Sequence, residues 1–168
     1  MIEPMIEPTF VILGILASVA IPRLAATRED AEISAAVANL RTLVSDASAY
    51  YVAKGDFNGA TWNQITNVPL VNAAGNTAGT ITATNAAAAT PTNTGAYLKV
   101  GGKRCIGVQL TNKTGVNAPA HIKFTKVTSG VNGTVCAKVL TSDPLKPYFN
   151  AQGAATGTIN IGSNTSVY

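Results

Sequence analysis

From Thr9 to Ile21 the chain runs thirteen residues without a charge, broken only by Thr9, Gly14 and Ser18: TFVILGILASVAI. No other stretch restricts the fold as strongly. A helix made of it is apolar on all sides, which the surface of a soluble domain does not tolerate. It is also short of the ~20 residues that span a hydrocarbon core. Pro22 follows and removes one helical N–H, while Gly14 weakens the helix eight residues earlier. Between them the helix can melt if packing elsewhere serves the exposed backbone groups.

The apolar run leads straight into a different pattern. From Arg28 to Lys54, Ile33, Val37, Leu40, Val44, Ala47 and Tyr51 recur at spacings of four and three, one stripe of an amphipathic helix. Glu29, Asp30 and Glu32 favour its N-terminal end, Lys54 its C-terminal end, and Gly55 serves as the cap. Joined to the run before it, this makes one helix of ~50 residues whose second half lies on a soluble domain. Residues 1–8 repeat a tetrapeptide, MIEPMIEP. Pro4 and Pro8 oppose a continuous helix, and the octapeptide is expected to be foreign to the native chain, a possible tag. A native apolar octapeptide there would bring the run to membrane-spanning length.

At 168 residues the natural expectation is one domain with an extension. Charge is uneven. Up to Asp56 there are seven acids and four bases; from Phe57 onward there are eight bases and one acid, Asp143. A basic body on a near-neutral to acidic stem can attract nucleic acid or other anionic surfaces.

Residues 56–95 are rich in Gly, Asn, Thr and Ala, with Trp62, Ile65, Val68 and Leu70 as anchors and a short helical turn expected at 61–66. The tract 72–95 reads as a polar surface loop open to O-linked sugars. Alternation then predicts strands at 96–100, 104–112, 121–129 and 134–142, an antiparallel meander of four. Leu98, Ile106, Val108, Leu110, Ile122, Phe124, Val135 and Val139 are its core candidates, and the stripe of helix 28–54 is the cover for one face. In the tail, 143–168, Tyr148 and Phe149 are anchors and a short strand is possible at 157–161. Cys105 and Cys136 are the only cysteines. They pair as a disulfide in an exported chain and remain two buried thiols in a cytosolic one.

Chemistry is sparse. His121 stands alone at a strand start, Asp56 and Asp143 have no acidic neighbours in sequence, and no phosphate-binding loop links a strand to a helix. No catalytic, cofactor or metal site is expected. Asn112, Asn132 and Asn164 begin N-glycosylation patterns that Asn/Thr-rich surfaces also produce by chance.

The stretch FVILGILASVAIPRLAATREDAE, from Phe10 to Glu32, closely resembles the N-terminal helix of type IV pilins and of type II secretion pseudopilins. Gly14 and Pro22 match the family's glycine and proline, within the string AIPRL. The resemblance implies an α+β pilin fold, a long N-terminal helix on a four-stranded antiparallel sheet, with a late disulfide, here Cys105–Cys136. It divides the chain into an apolar half-helix, 1–27, and a head, 28–168. The head comprises helix 28–54, variable loop 56–95, sheet 96–142 and tail 143–168. Phe10, Val11, Ile12, Leu13, Gly14, Ile15, Leu16, Val19, Ile21 and Pro22 become the filament core, with melting between Gly14 and Pro22 in the polymer. Ile33, Val37, Leu40, Val44 and Tyr51 become the head-packing stripe.

The family matures at a methylated N-terminal Phe and carries a glutamate at the fifth position. This chain has Met1 and Met5, flanked by Glu3 and Glu7, and no cleavage site. The expected function is a structural one, the major subunit of a type IV pilus serving adhesion, motility or surface contact. The implied partners are identical copies, the inner membrane before assembly, the pilus assembly machinery and prepilin peptidase. Alternatives are a pseudopilin of a periplasmic secretion piston, a DNA-uptake pilin using the lysines of the head, and a simple single-span anchor.

Overall fold

In a computed structural model of the chain, α1 runs unbroken from Glu7 to Lys54, 48 residues and roughly 72 Å at 1.5 Å per residue. The structure describes residues 7–72, 74–75, 96–113, 119–129, 134–149 and 154–161; within α1, side chains are described at 11–15 and 27–54. The helix is continuous through Gly14 and Pro22 in the single chain; the melting expected of a polymer concerns a different state. Pro8 lies in the first turn, where its missing N–H costs nothing. At the far end Gly55, at φ +84°, donates to the Tyr51 carbonyl at 2.8 Å, as a left-handed cap does.

After α1 come α2 (Trp62–Ile65), β1 (Leu70–Val71), β2 (Ala96–Val100), β3 (Lys103–Thr111), β4 (His121–Lys126), α3 (Val135–Thr141), a 3-10 helix (Asp143–Tyr148) and β5 (Thr156–Asn160). The helical turn expected at 61–66 is α2, where Gln64 accepts a hydrogen bond from the Thr61 N–H at 2.9 Å. The strands form one antiparallel sheet in the order β1-β2-β3-β4-β5, a meander of five rather than four.

Two departures from expectation explain the count. Residues 134–142 are not a strand: Val135–Thr141 is a helix that buries Cys136, Val139 and Leu140, at helical spacings of three and four. The same seven residues also alternate apolar and polar at Val135, Ala137 and Val139, and so short a run fits both periods. The sheet instead gains the two-residue β1 and, from the tail, β5, which pairs with β4 from Thr125↔Thr156 to His121↔Asn160.

The second half of α1 covers the inner sheet face. Ala36, Val37, Leu40, Leu43 and Ala47 are buried in one core with Leu98, Ile106, Val108, Leu110, Ile122 and Phe124. Ile33, Val44, Tyr50 and Tyr51 pack half-buried against it, as does Val135. Ala36 and Leu43 widen the stripe beyond the expected positions, since a helix against a sheet buries a band broader than one row. Phe57 is sealed beneath Tyr50 and Tyr51, with ring centroids at 6.2 and 5.1 Å.

Gly101 and Gly102, at φ +56° and +78°, make the β2–β3 turn, as a two-residue hairpin with both central residues left-handed requires. One register shift follows at once. Leu98 pairs with Ile106 but Lys99 with Arg104, so Cys105 is an extra residue on β3. A bulge of this kind re-aims a side chain. It leaves Cys105 bonded to Cys136 on α3, Cα to Cα 5.5 Å, with both cysteines fully buried.

Candidate assembly surface

Burial divides α1 into two halves of opposite character. From Ile33 onward its apolar stripe enters the core, while Val52, off the stripe, is 76% exposed. Polar contacts hold the same half to the head. Glu29 pairs with Lys138 on α3 at 2.6 Å, Glu32 accepts from the Gly101 N–H at 3.3 Å, and Asp46 accepts from the Thr66 hydroxyl at 2.7 Å. The first of these is exposed on the lysine side and contributes under about 1 kcal/mol; together they set the angle of the helix more than its stability.

In the first half, the described side chains at 11–15 have no such cover. Val11, Ile12, Leu13 and Ile15 are 57–61% exposed, and a Cβ on Gly14 would meet nothing within 4 Å. Four large apolar side chains in five residues spread over roughly 200° of the helix circumference, more than one packing face. Head packing cannot bury such a segment, because one head offers one face. The side chains of Phe10, Leu16, Val19, Ile21 and Pro22 lie outside those described, though all five residues are on the helix. Among the described residues no helix is long and apolar enough to cross a membrane.

Magnitudes show what the exposed half can do. Covering a half-exposed aliphatic side chain contributes on the order of 1–2 kcal/mol, so the four described positions supply roughly 4–8 kcal/mol per subunit. Association itself costs about 4–15 kcal/mol. The four residues alone break even, and stable burial requires the neighbouring apolar positions up to Ile21 as well.

The other sequence candidates lie elsewhere. His121 Nδ1 is 3.1 Å from the Pro119 carbonyl, at the start of β4. Asp56 accepts from the Asn58 N–H at 2.8 Å, and Asp143 pairs with Lys146 at 2.6 Å. No group of three or more His, Cys, Asp or Glu forms a metal-binding cluster among the described residues. Asn112 is buried and accepts from the Phe57 N–H at 2.8 Å, so its glycosylation pattern is inaccessible in the folded chain. Asn132, Asn164 and the tract 76–95 lie outside the described residues. A groove of about 480 Å³ runs between α1 and the 3-10 helix, walled by Val44, Pro144, Pro147, Tyr148 and Ile159, with Arg41 and Ser45 at its edge.

Among these, Val11, Ile12, Leu13 and Ile15 are the large apolar side chains that the fold of a single chain leaves uncovered. No protein-family model, curated protein or solved structure matches this chain.

Proposed function

We propose that this chain is a structural subunit that polymerises through the N-terminal half of α1 into an extracellular filament, the major pilin of a type IV pilus. The observation that carries the reading is the exposure of Val11, Ile12, Leu13 and Ile15, 57–61%, on a helix whose other half is fixed in a folded head. Identical copies stacked around an axis bury these segments against one another and leave the heads as an outer shell. Such a head-to-tail assembly is open and elongates indefinitely. Before assembly the same half-helix rests in the inner membrane, and moving between two water-free surroundings costs little hydrophobic free energy. The proposal assigns the chain adhesion, motility or surface contact and no catalytic role.

The resemblance over Phe10–Glu32, the α+β head and the Cys105–Cys136 disulfide support the reading. A disulfide suits an exported domain. The test replaces Ile12 and Ile15 with Asp in the cells that make the protein. Filaments are expected to vanish while the head still folds, reported by its intact disulfide in the envelope fraction. Filaments that persist at normal length overturn the proposal. Loss of protein secretion without any long filament in the parent cells assigns the subunit to a secretion piston instead.

A further inference from the structure

The sheet has a second face, which α1 does not cover. Register and burial place Tyr97, Lys99, Arg104, Gly107, Gln109, Lys123, Thr125, Thr156, Thr158 and Asn160 on it. Its charged side chains are all cationic. The five strands contain no Asp or Glu, and neither does any other part of 57–168 except Asp143. The chain's acids are engaged elsewhere or lie on the helix. Glu29 holds Lys138, Glu32 the Gly101 N–H, Asp46 the Thr66 hydroxyl, Asp56 the Asn58 N–H and Asp143 Lys146. Glu3, Glu7 and Asp30 belong to the N-terminal stem and α1. Lys99 and Lys123 therefore have no carboxylate partner among the described residues, and the one acid after Asp56, Asp143, is paired with Lys146. Arg104 lies 5.2 Å from the Tyr97 ring centroid, so the aromatic surface is already capped.

We propose that this outer face docks an acidic polysaccharide, a chain of sugars bearing carboxylates among hydroxyls. Charge complementarity selects a polyanion, and the spacing selects a sparse one. Lys99 and Arg104 are paired across adjacent strands, about 5 Å apart, whereas Lys123 lies roughly 15 Å further along the sheet. Between them lies the row of Gly107, Thr125 and Thr156, Gln109 and Thr158 flank Lys123, and Asn160 lies one row beyond; the side chains among these are neutral groups that donate and accept hydrogen bonds with hydroxyls. Duplex DNA carries one charge per about 1.7 Å of axis and its affinity depends on dense phosphate neutralisation. This face offers few cations to it. Capping of Tyr97 by Arg104 also removes the platform on which single-stranded bases stack. The proposal concerns one head and is independent of filament formation.

The test uses the full chain in a non-ionic detergent with fluorescent polygalacturonate as probe, read by anisotropy at low salt. Replacing Lys99, Arg104 and Lys123 with Gln is expected to weaken binding roughly tenfold, as removal of three exposed charge contacts does. Replacing Arg28, Arg41 and Lys54 on α1 with Gln removes the same charge on the opposite side of the sheet and is expected to change affinity less than about twofold. Circular dichroism confirms that both triple variants fold. Equal losses in the two variants overturn the assignment to the face, and so does absence of binding at low salt. Equal affinity for neutral dextran, or tighter binding of a mixed-sequence duplex at equal anionic charge, overturns the choice of partner.

Discussion

Gly157 shows how far a single residue position can be constrained. It sits on β5, and a Cβ built there would overlap the Tyr148 carbonyl oxygen and the Phe149 Cα, which are backbone atoms that cannot swing aside. Gly157→Ala is expected to cost about 3 kcal/mol or more in chemical denaturation, the upper range for overpacking. Gly107, also in a strand, is different: its Cβ would meet the Tyr97 ring at 3.5 Å, an ordinary contact. Gly107→Ala is expected to stay within about 1 kcal/mol of the parent, and an equal cost at both sites would contradict the geometry. Reducing Cys105–Cys136 in unfolded chain and refolding without it is expected to lower stability by about 3–4 kcal/mol, the loop-closure value for a separation of 31 residues. Asp143 carries a smaller effect. The Lys146 hydrogen bond, and then its charge, hold the carboxyl below its ordinary pKa. A depressed folded-state pKa stabilises above the unfolded value and is lost as pH falls through the folded one. Lys146→Ala is expected to move the Asp143 titration, followed by NMR, upward to the ordinary carboxylate range.

At the scale of elements, α1 carries both a stripe of the core and the proposed assembly surface. Leu40 is fully buried in its stripe, so Leu40→Ala is expected to destabilise the head by about 2–5 kcal/mol, measured by denaturant unfolding. Ile12→Ala, on the exposed half, is expected to leave that transition unchanged. Much of this element was legible beforehand, because 27 residues from Arg28 to Lys54 sample the helical period many times. Short elements were not. Val135–Thr141 supports a strand pattern through Val135, Ala137 and Val139 and a helix through Cys136, Val139 and Leu140, and tertiary contacts with α1 and β3 decide between them. β1 has two residues, too few for any period, and owes its existence to pairing Leu70 with Leu98 and Val71 with Tyr97. The disulfide partners were readable as the only two cysteines, but the β3 bulge that presents Cys105 to a helix leaves no trace in composition.

The whole molecule combines a head that satisfies itself with a half-helix that cannot. Among the described residues, the largest fully buried side chains lie between Leu40 and Leu145, and of the five large hydrophobics that stand exposed, four are Val11, Ile12, Leu13 and Ile15. That division was visible in sequence as an uncharged run ahead of an amphipathic one, since a segment apolar all round has no internal face to hide. The spatial arrangement of the outer sheet face was not visible, because it depends on register across four strand pairs. Cryo-electron microscopy of filaments sheared from the cells that make this protein tests the central claim most directly. The expected map places residues 10–54 in the filament core, with Val11, Ile12, Leu13 and Ile15 buried against neighbouring copies and helical bonds lost between Gly14 and Pro22. A filament in which this half-helix stays solvent-exposed, or cells whose filaments lack the chain altogether, would contradict it.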